Sequence, residues 1–134
     1  MSIMNVFPAI EKWLDADAES WSPLSDQDYV ALVRQWRNDY MPLIAGGEYV
    51  FQAGRAIHAF EGRLPTNVWL FSGVHVPELA NMGGSGAAGY QAVKLRSLRR
   101  ELASELELIV VACDLSWSCV FSHETWEQLY ERKG

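Results

Sequence analysis

The sequence predicts an α/β protein in which helices cover a small mixed sheet of three to four strands, in the order α-α-α-β-α-β-β-α. Three observations carry that expectation. Over 26–40, Tyr29, Val33, Trp36 and Tyr40 recur at helical spacing on one face. Leu108 to Cys113, LIVVAC, is a continuous apolar run, the pattern of a strand buried on both sides. Residues 117–122, WSCVFS, alternate instead and place Trp117, Cys119 and Phe121 on one face.

Each element has its own local reason. Residues 6–14 read as a first helix, with Pro8 in the first turn, where a missing N–H costs nothing. The segment 15–25 is acidic and turn-rich. Ser25 is the expected N-cap of the second helix, with Asp28 in the capping-box position. Asp26 and Asp28 near its start and Arg34 and Arg37 toward its end suit the helix dipole, and Pro42 is expected to stop it. Gly46-Gly47 is a joint. Residues 48–61 fit a third helix through Tyr49, Ala53, Ile57 and Phe60. Gly54 weakens that helix, and YVFQA within 48–56 is alternatively a strand. Asn67 to Ser72, NVWLFS, reads as a strand, and 73–89 as a long loop. Tyr90, Val93, Leu98, Leu102 and Leu106 give a helical stripe over 90–105. Asp114-Leu115-Ser116 is the expected hairpin turn. Residues 124–132 close as a short helix through Trp126, Leu129 and Tyr130. The strand–helix–strand unit over 67–113 is expected to be right-handed, with parallel strands.

Composition bounds the function. The chain has 134 residues, 49 % hydrophobic and 21 % charged, which suits one domain with a core. No apolar run reaches the ~18–20 residues that span a bilayer. The start, MSIMNVFPAIEKWLD, lacks a signal peptide's basic region. A cytoplasmic protein with no membrane partner is expected. Cys113 and Cys119 are then reduced thiols, and three scattered histidines give no metal-ligand spacing. The net charge of −6 is concentrated early, in Glu11, Asp15, Asp17, Glu19, Asp26 and Asp28 against Lys12. Such a face repels nucleic acid and attracts a basic partner. One basic cluster, Lys94, Arg96, Arg99 and Arg100, follows the glycine-rich stretch.

That stretch, GGSGAAGY over 83–90, raises the question of a phosphate cradle. Gly84-x-Gly86-x-x-Gly89 has dinucleotide-turn spacing, but about a dozen residues separate it from the strand ending at Ser72. The run from Val76 to Gly86 resembles the pyrophosphate loop of the acetyl-CoA-dependent N-acyltransferases. Asn81, Gly84 and Gly86 take the positions of that family's Gln/Arg-x-x-Gly-x-Gly/Ala motif, and Leu129-Tyr130-Glu131 is similar to a later segment. Asn81 stands where the family has Gln or Arg, and helices are expected where it has strands. The resemblance implies acetyl-CoA as a ligand, bound by glycine N–H groups at a helix N-terminus. The plain alternative is a flexible joint with no cofactor.

The most distinctive text is Asp114-Leu-Ser-Trp117-Ser-Cys-Val-Phe-Ser-His123-Glu124. Over about residues 107–126 it resembles the closing hairpin of small bacterial domains, several of them toxin-immunity or accessory proteins. That resemblance implies a binding protein without catalysis, whose partner is basic. Asp114, Trp117, His123 and Glu124 are the binding candidates. His75 joins them if its strand neighbours that of His123, and the two histidines with Asp114 would then form an acid–base or metal site. Adjacent His123 and Glu124 point to opposite faces of a strand, so they do not pair directly. His58 reads as a helix-surface residue. Trp21, in the acidic segment, is either a partner contact or a staple over the first helix. The sequence thus favours a non-catalytic protein-binding domain, with an acyl-CoA-binding protein as the alternative.

Overall fold

The computed structural model describes residues 6–72, 89–105, 107–122 and 127–132. Among them the chain forms α1 (Val6–Asp17), β1 (Ser20–Pro23), α2 (Asp26–Ala45), β2 (Phe51–Gln52) and α3 (Ala53–Glu61). There follow β3 (Thr66–Ser72), β4 (Gly89–Leu95), α4 (Arg100–Glu105), β5 (Leu108–Ala112), β6 (Trp117–Phe121) and β7 (Glu127–Glu131). The strands make one seven-stranded sheet in the order β1-β4-β3-β5-β6-β7-β2. Every neighbouring pair is antiparallel. The α/β class agrees with the sequence. The sheet has more strands than the three to four expected, and it is antiparallel rather than mixed.

The sheet is covered on both sides. α2 lies on one face, where Tyr29, Val33, Trp36 and Tyr40 pack with Phe71, Ile109, Val111 and Tyr130. The opposite face meets α1, α3 and α4 through Trp13, Leu14, Phe60 and Ala103. β5 lies between these layers and is buried along its length, as a continuous apolar run requires. β6 alternates as expected, with Trp117, Cys119 and Phe121 together in the core under α1 and α3. On the α2 side Trp36 Nε1 donates to Ser118 Oγ at 2.9 Å, and Ser118 Oγ donates to the Val110 carbonyl at 3.0 Å. This chain satisfies polar groups that burial would otherwise penalise.

Several elements differ from the expected ones. Residues 89–95 are strand β4, not the start of a helix; only Arg100–Glu105 is helical. The reason is a bulge. Between Thr66 and Val68 the β3–β4 register slips by one, Lys94 takes φ 50, and Asn67 Oδ1 accepts from Lys94 N–H at 2.9 Å. Tyr90, Ala92 and Leu95 therefore all face the same core, which breaks the strand's period of two. Residues 127–131 are strand β7, not helix. With β4 inserted, β3 and β5 are antiparallel, and the parallel relation falls on β4 and β5, which flank β3.

The segment 15–25 contains edge strand β1, and 48–61 divides into the short β2 and α3, so part of the YVFQA alternative holds. Ser25 caps α2 as expected, its Oγ accepting from Asp28 N–H at 3.1 Å. Pro42 does not stop α2. It removes only its own N–H, and the turns beyond are closed by Gly46 N–H to the Pro42 carbonyl at 3.0 Å and Glu48 N–H to the Leu43 carbonyl at 2.8 Å.

Candidate functional site

The charged stretches singled out in the sequence largely satisfy one another. Arg99 pairs with Asp17 at 3.4 Å and Lys94 with Glu19 at 3.7 Å. Arg96 donates to the Ala16 carbonyl at 3.1 Å. Arg100 pairs at 2.9 Å with Glu127, whose side chain is fully buried. Glu11 accepts from Tyr90 OH at 3.0 Å, and Asp15 accepts from Trp21 Nε1 at 2.6 Å. Trp21 also meets the Tyr90 ring edge-on at 5.7 Å, so it staples β1 over α1. The basic cluster thus holds the acidic N-terminal segment to the sheet.

The β5–β6 turn is built differently. Leu115 has φ 64, and its N–H bonds back to the Ala112 carbonyl at 2.8 Å. Tyr40 OH donates to the Leu115 carbonyl at 2.6 Å, which ties the turn to α2. Asp114 Oδ1 accepts from Ser116 N–H at 2.9 Å and Ser116 Oγ–H at 2.6 Å. These bonds lower the carboxyl's pKa and hold exposed Asp114 as an anion.

Two clefts flank this turn. The first, of about 380 Å³, is lined by Thr66, Asn67, Ala112, Cys113, Asp114 and Trp117. Trp117 is buried, with Phe60 edge-on to its ring at 5.4 Å and the Arg63 guanidinium 5.5 Å from the ring centre. The second, of about 410 Å³, runs along the flank of α2 and is lined by Leu24, Asp28, Ala31, Leu32, Gln35, Trp69, Gln91 and Leu115. The described lining of each cleft contains one aspartate and no cation. Neither Asp28 nor Asp114 has an ion pair among the described residues.

The tryptophans follow the same division. Trp13, Trp21 and Trp36 donate their indole N–H to Ser97, Asp15 and Ser118. Trp69 and Trp117, which line the two clefts, donate to no described residue.

Burial, with Asp114 adding to it, pushes the Cys113 thiol up to about 11, so it stays protonated and poorly nucleophilic at neutral pH. Among the described residues no group of three or more His, Cys, Asp or Glu could hold a metal, and no helix is long and apolar enough to cross a membrane.

The structure brings Asp114 and Trp117 into one cleft and places Trp21 elsewhere, against α1. His75, His123, Glu124, Asn81, Gly84 and Gly86 lie outside the described residues. His58 is exposed on α3, as expected. Sequence reasoning missed the second cleft. Asp28 reads as a capping residue, Trp69 as core and Gln91 as part of a helix. Only the β3–β4 register sets Trp69 opposite Gln91.

The fold defines an α/β protein whose antiparallel sheet has α2 on one side and α1, α3 and α4 on the other. No family model, curated protein or solved structure matches the chain.

Proposed function

We propose that the protein is a non-catalytic binding protein of the immunity or accessory kind, and that its partner is a protein presenting basic residues. One observation carries this reading: each cleft beside the β5–β6 turn joins an aspartate that has no ion pair to a tryptophan that has no hydrogen-bond acceptor, among the described residues. Aromatic anchors beside charged groups concentrate interface energy, and complementary charge speeds encounter. Both sheet edges are poor templates for strand addition. Leu24 N–H bonds inward to the Gly89 carbonyl, so by alternation Pro23 turns its nitrogen outward, where it has no proton to give. β2 is only two residues long. The partner is therefore met by side chains at the turn.

The acetyl-CoA alternative asks the glycine-rich stretch to open a helix whose N–H groups converge on phosphate. Gly89 opens strand β4 instead, and among the described residues the ionised groups lining the two clefts are anionic.

The test is photo-crosslinking in the native host cell, with a photoreactive residue at Thr66 in the first cleft or at Glu61 on the exposed end of α3. One discrete protein adduct is expected from position 66 and none from position 61. Asp114→Lys introduced alongside should abolish the adduct. No adduct at position 66, or one indifferent to Asp114→Lys, refutes the reading.

A further inference from the structure

The second cleft has a composition that selects its occupant. Its floor is a pair of side chains on adjacent strands, Trp69 on β3 and Gln91 on β4, directly opposite in register on the face that carries α2. The same row continues as Val111, Ser118 and Tyr130 on β5, β6 and β7. α2 covers that continuation, and its Trp36 bonds to Ser118. At Trp69 and Gln91 the helix no longer covers the sheet, and both side chains are half-buried. Leu24, Ala31, Leu32 and Leu115 form apolar walls.

Three polar groups there have no partner among the described residues: the Trp69 indole N–H, the Gln91 amide and the Asp28 carboxylate. Gln35, the remaining polar residue, donates to Asp39 at 3.1 Å. Asp28 is the only ionised group among the described lining residues, so the cleft favours a cation and repels phosphate or carboxylate.

We infer that this cleft receives an arginine side chain of the protein partner. The inference rests on the protein-binding reading above and assigns the chemistry of a second contact. A guanidinium is planar, so it stacks on an indole while its N–H fork reaches a carboxylate and an amide oxygen together. Asp28 and the Gln91 Oε1 supply those acceptors, and Trp69 supplies the stacking surface. The aliphatic stem of arginine covers the leucine walls. The Trp69 N–H is left to donate to a carbonyl of the partner's backbone. A lysine ammonium brings the same charge with neither the plane nor the fork.

The test uses the full chain, isotopically labelled, and a capped Gly-Arg-Gly peptide titrated to about 10 mM, the range for a single-side-chain contact. The matching lysine and citrulline peptides are comparators. The arginine peptide should shift the Trp69 indole and Gln91 side-chain amide signals saturably. The lysine peptide should bind about tenfold more weakly. The citrulline peptide, neutral and nearly isosteric, should not bind. Asp28→Asn should weaken the arginine response about tenfold. This variant keeps the helix cap, because Ser25 Oγ bonds to the backbone N–H of residue 28.

Silence at Trp69 and Gln91, or a response that citrulline or Asp28→Asn reproduces in full, overturns the inference. If the Thr66 adduct still depends on Asp114 in that case, the partner reading survives without the arginine contact. A selective arginine response without any Thr66 adduct upholds the cleft as an arginine site while the partner reading above fails.

Discussion

Truncating Arg100 should destabilise the protein far more than loss of a surface ion pair does. Glu127 has no exposed side-chain surface; its Oε1 accepts from Arg100 Nε at 2.9 Å, and its Oε2 has no partner among the described residues. Arg100→Met leaves this carboxylate buried without its cation. Removing one partner of a buried pair costs about 3–5 kcal/mol. The Arg100 side chain is 50 % exposed, so water partly replaces the guanidinium, and we expect about 2–3 kcal/mol. Unfolding entropy of about 2.1 cal/mol/K per residue over 134 residues converts this to a fall in Tm of about 7–11 °C. Arg100→Met with Glu127→Gln removes the orphaned charge and should recover at least half the loss. Urea unfolding with an unchanged m-value measures both variants. A cost below about 0.5 kcal/mol for Arg100→Met, the range of exposed pairs, would refute the reasoning. So would a double variant no more stable than the single one.

Five further substitutions test the same physics. Tyr29 OH is buried without a partner among the described residues, so Tyr29→Phe should stabilise by about 0.5–1 kcal/mol, whereas Tyr40→Phe loses the 2.6 Å bond to the Leu115 carbonyl and should cost about 1 kcal/mol in urea unfolding. A Cβ on Gly89 would meet the Leu70 carbonyl at 3.0 Å and Leu24 Cδ1 at 3.1 Å, so Gly89→Ala should cost about 1–3 kcal/mol. Gly54 has open space, and Gly54→Ala should gain about 0.4–1 kcal/mol by restricting the unfolded chain. Ser116's bonds lower the Asp114 pKa from its ordinary 3.8, so this carboxylate contributes stability above 3.8 that is lost as pH falls through the folded value. Asp114→Ala should therefore melt below wild type at neutral pH, with the gap closing as pH falls below 3.8; a gap constant into acid would contradict this.

The sequence was legible where one periodicity governed a whole element. α2 keeps its apolar stripe from Tyr29 to Leu43, and β5 and β6 keep their patterns because each lies inside the sheet with a regular register. β4 was misread because its bulge shifts Leu95 onto the face of Tyr90 and Ala92, which breaks the period of two. β7 was misread for another reason. Its burial includes polar residues, Glu127 and Gln128, that a sequence pattern places outside. Glu127 becomes tolerable only because Arg100 comes from α4, and Gln128 accepts a bond from Tyr130 OH on the same strand. Tertiary partners of this kind leave no local signal.

The two clefts divide in the same way. Asp114 and Trp117 were legible because the turn that joins them is short and carries its own chemistry. The pairing of Asp28 with Trp69 and Gln91 was not, because it needs an antiparallel β3–β4 register and α2 laid across the sheet. Net charge was equally ambiguous. The acidic segment from Glu11 to Glu19 looks like a surface for a basic partner, yet Arg99, Lys94, Tyr90 and Trp21 engage it from within the molecule. An acid that is already paired gains little from a new cation, since the new bond replaces an old one. Among the described residues Asp28 and Asp114 have no ion pair to break, and each shares its cleft with a tryptophan whose N–H meets no acceptor. On the proposed reading, the acids open to a partner's cation are those without an ion pair among the described residues, and the fold rather than the composition sets which they are.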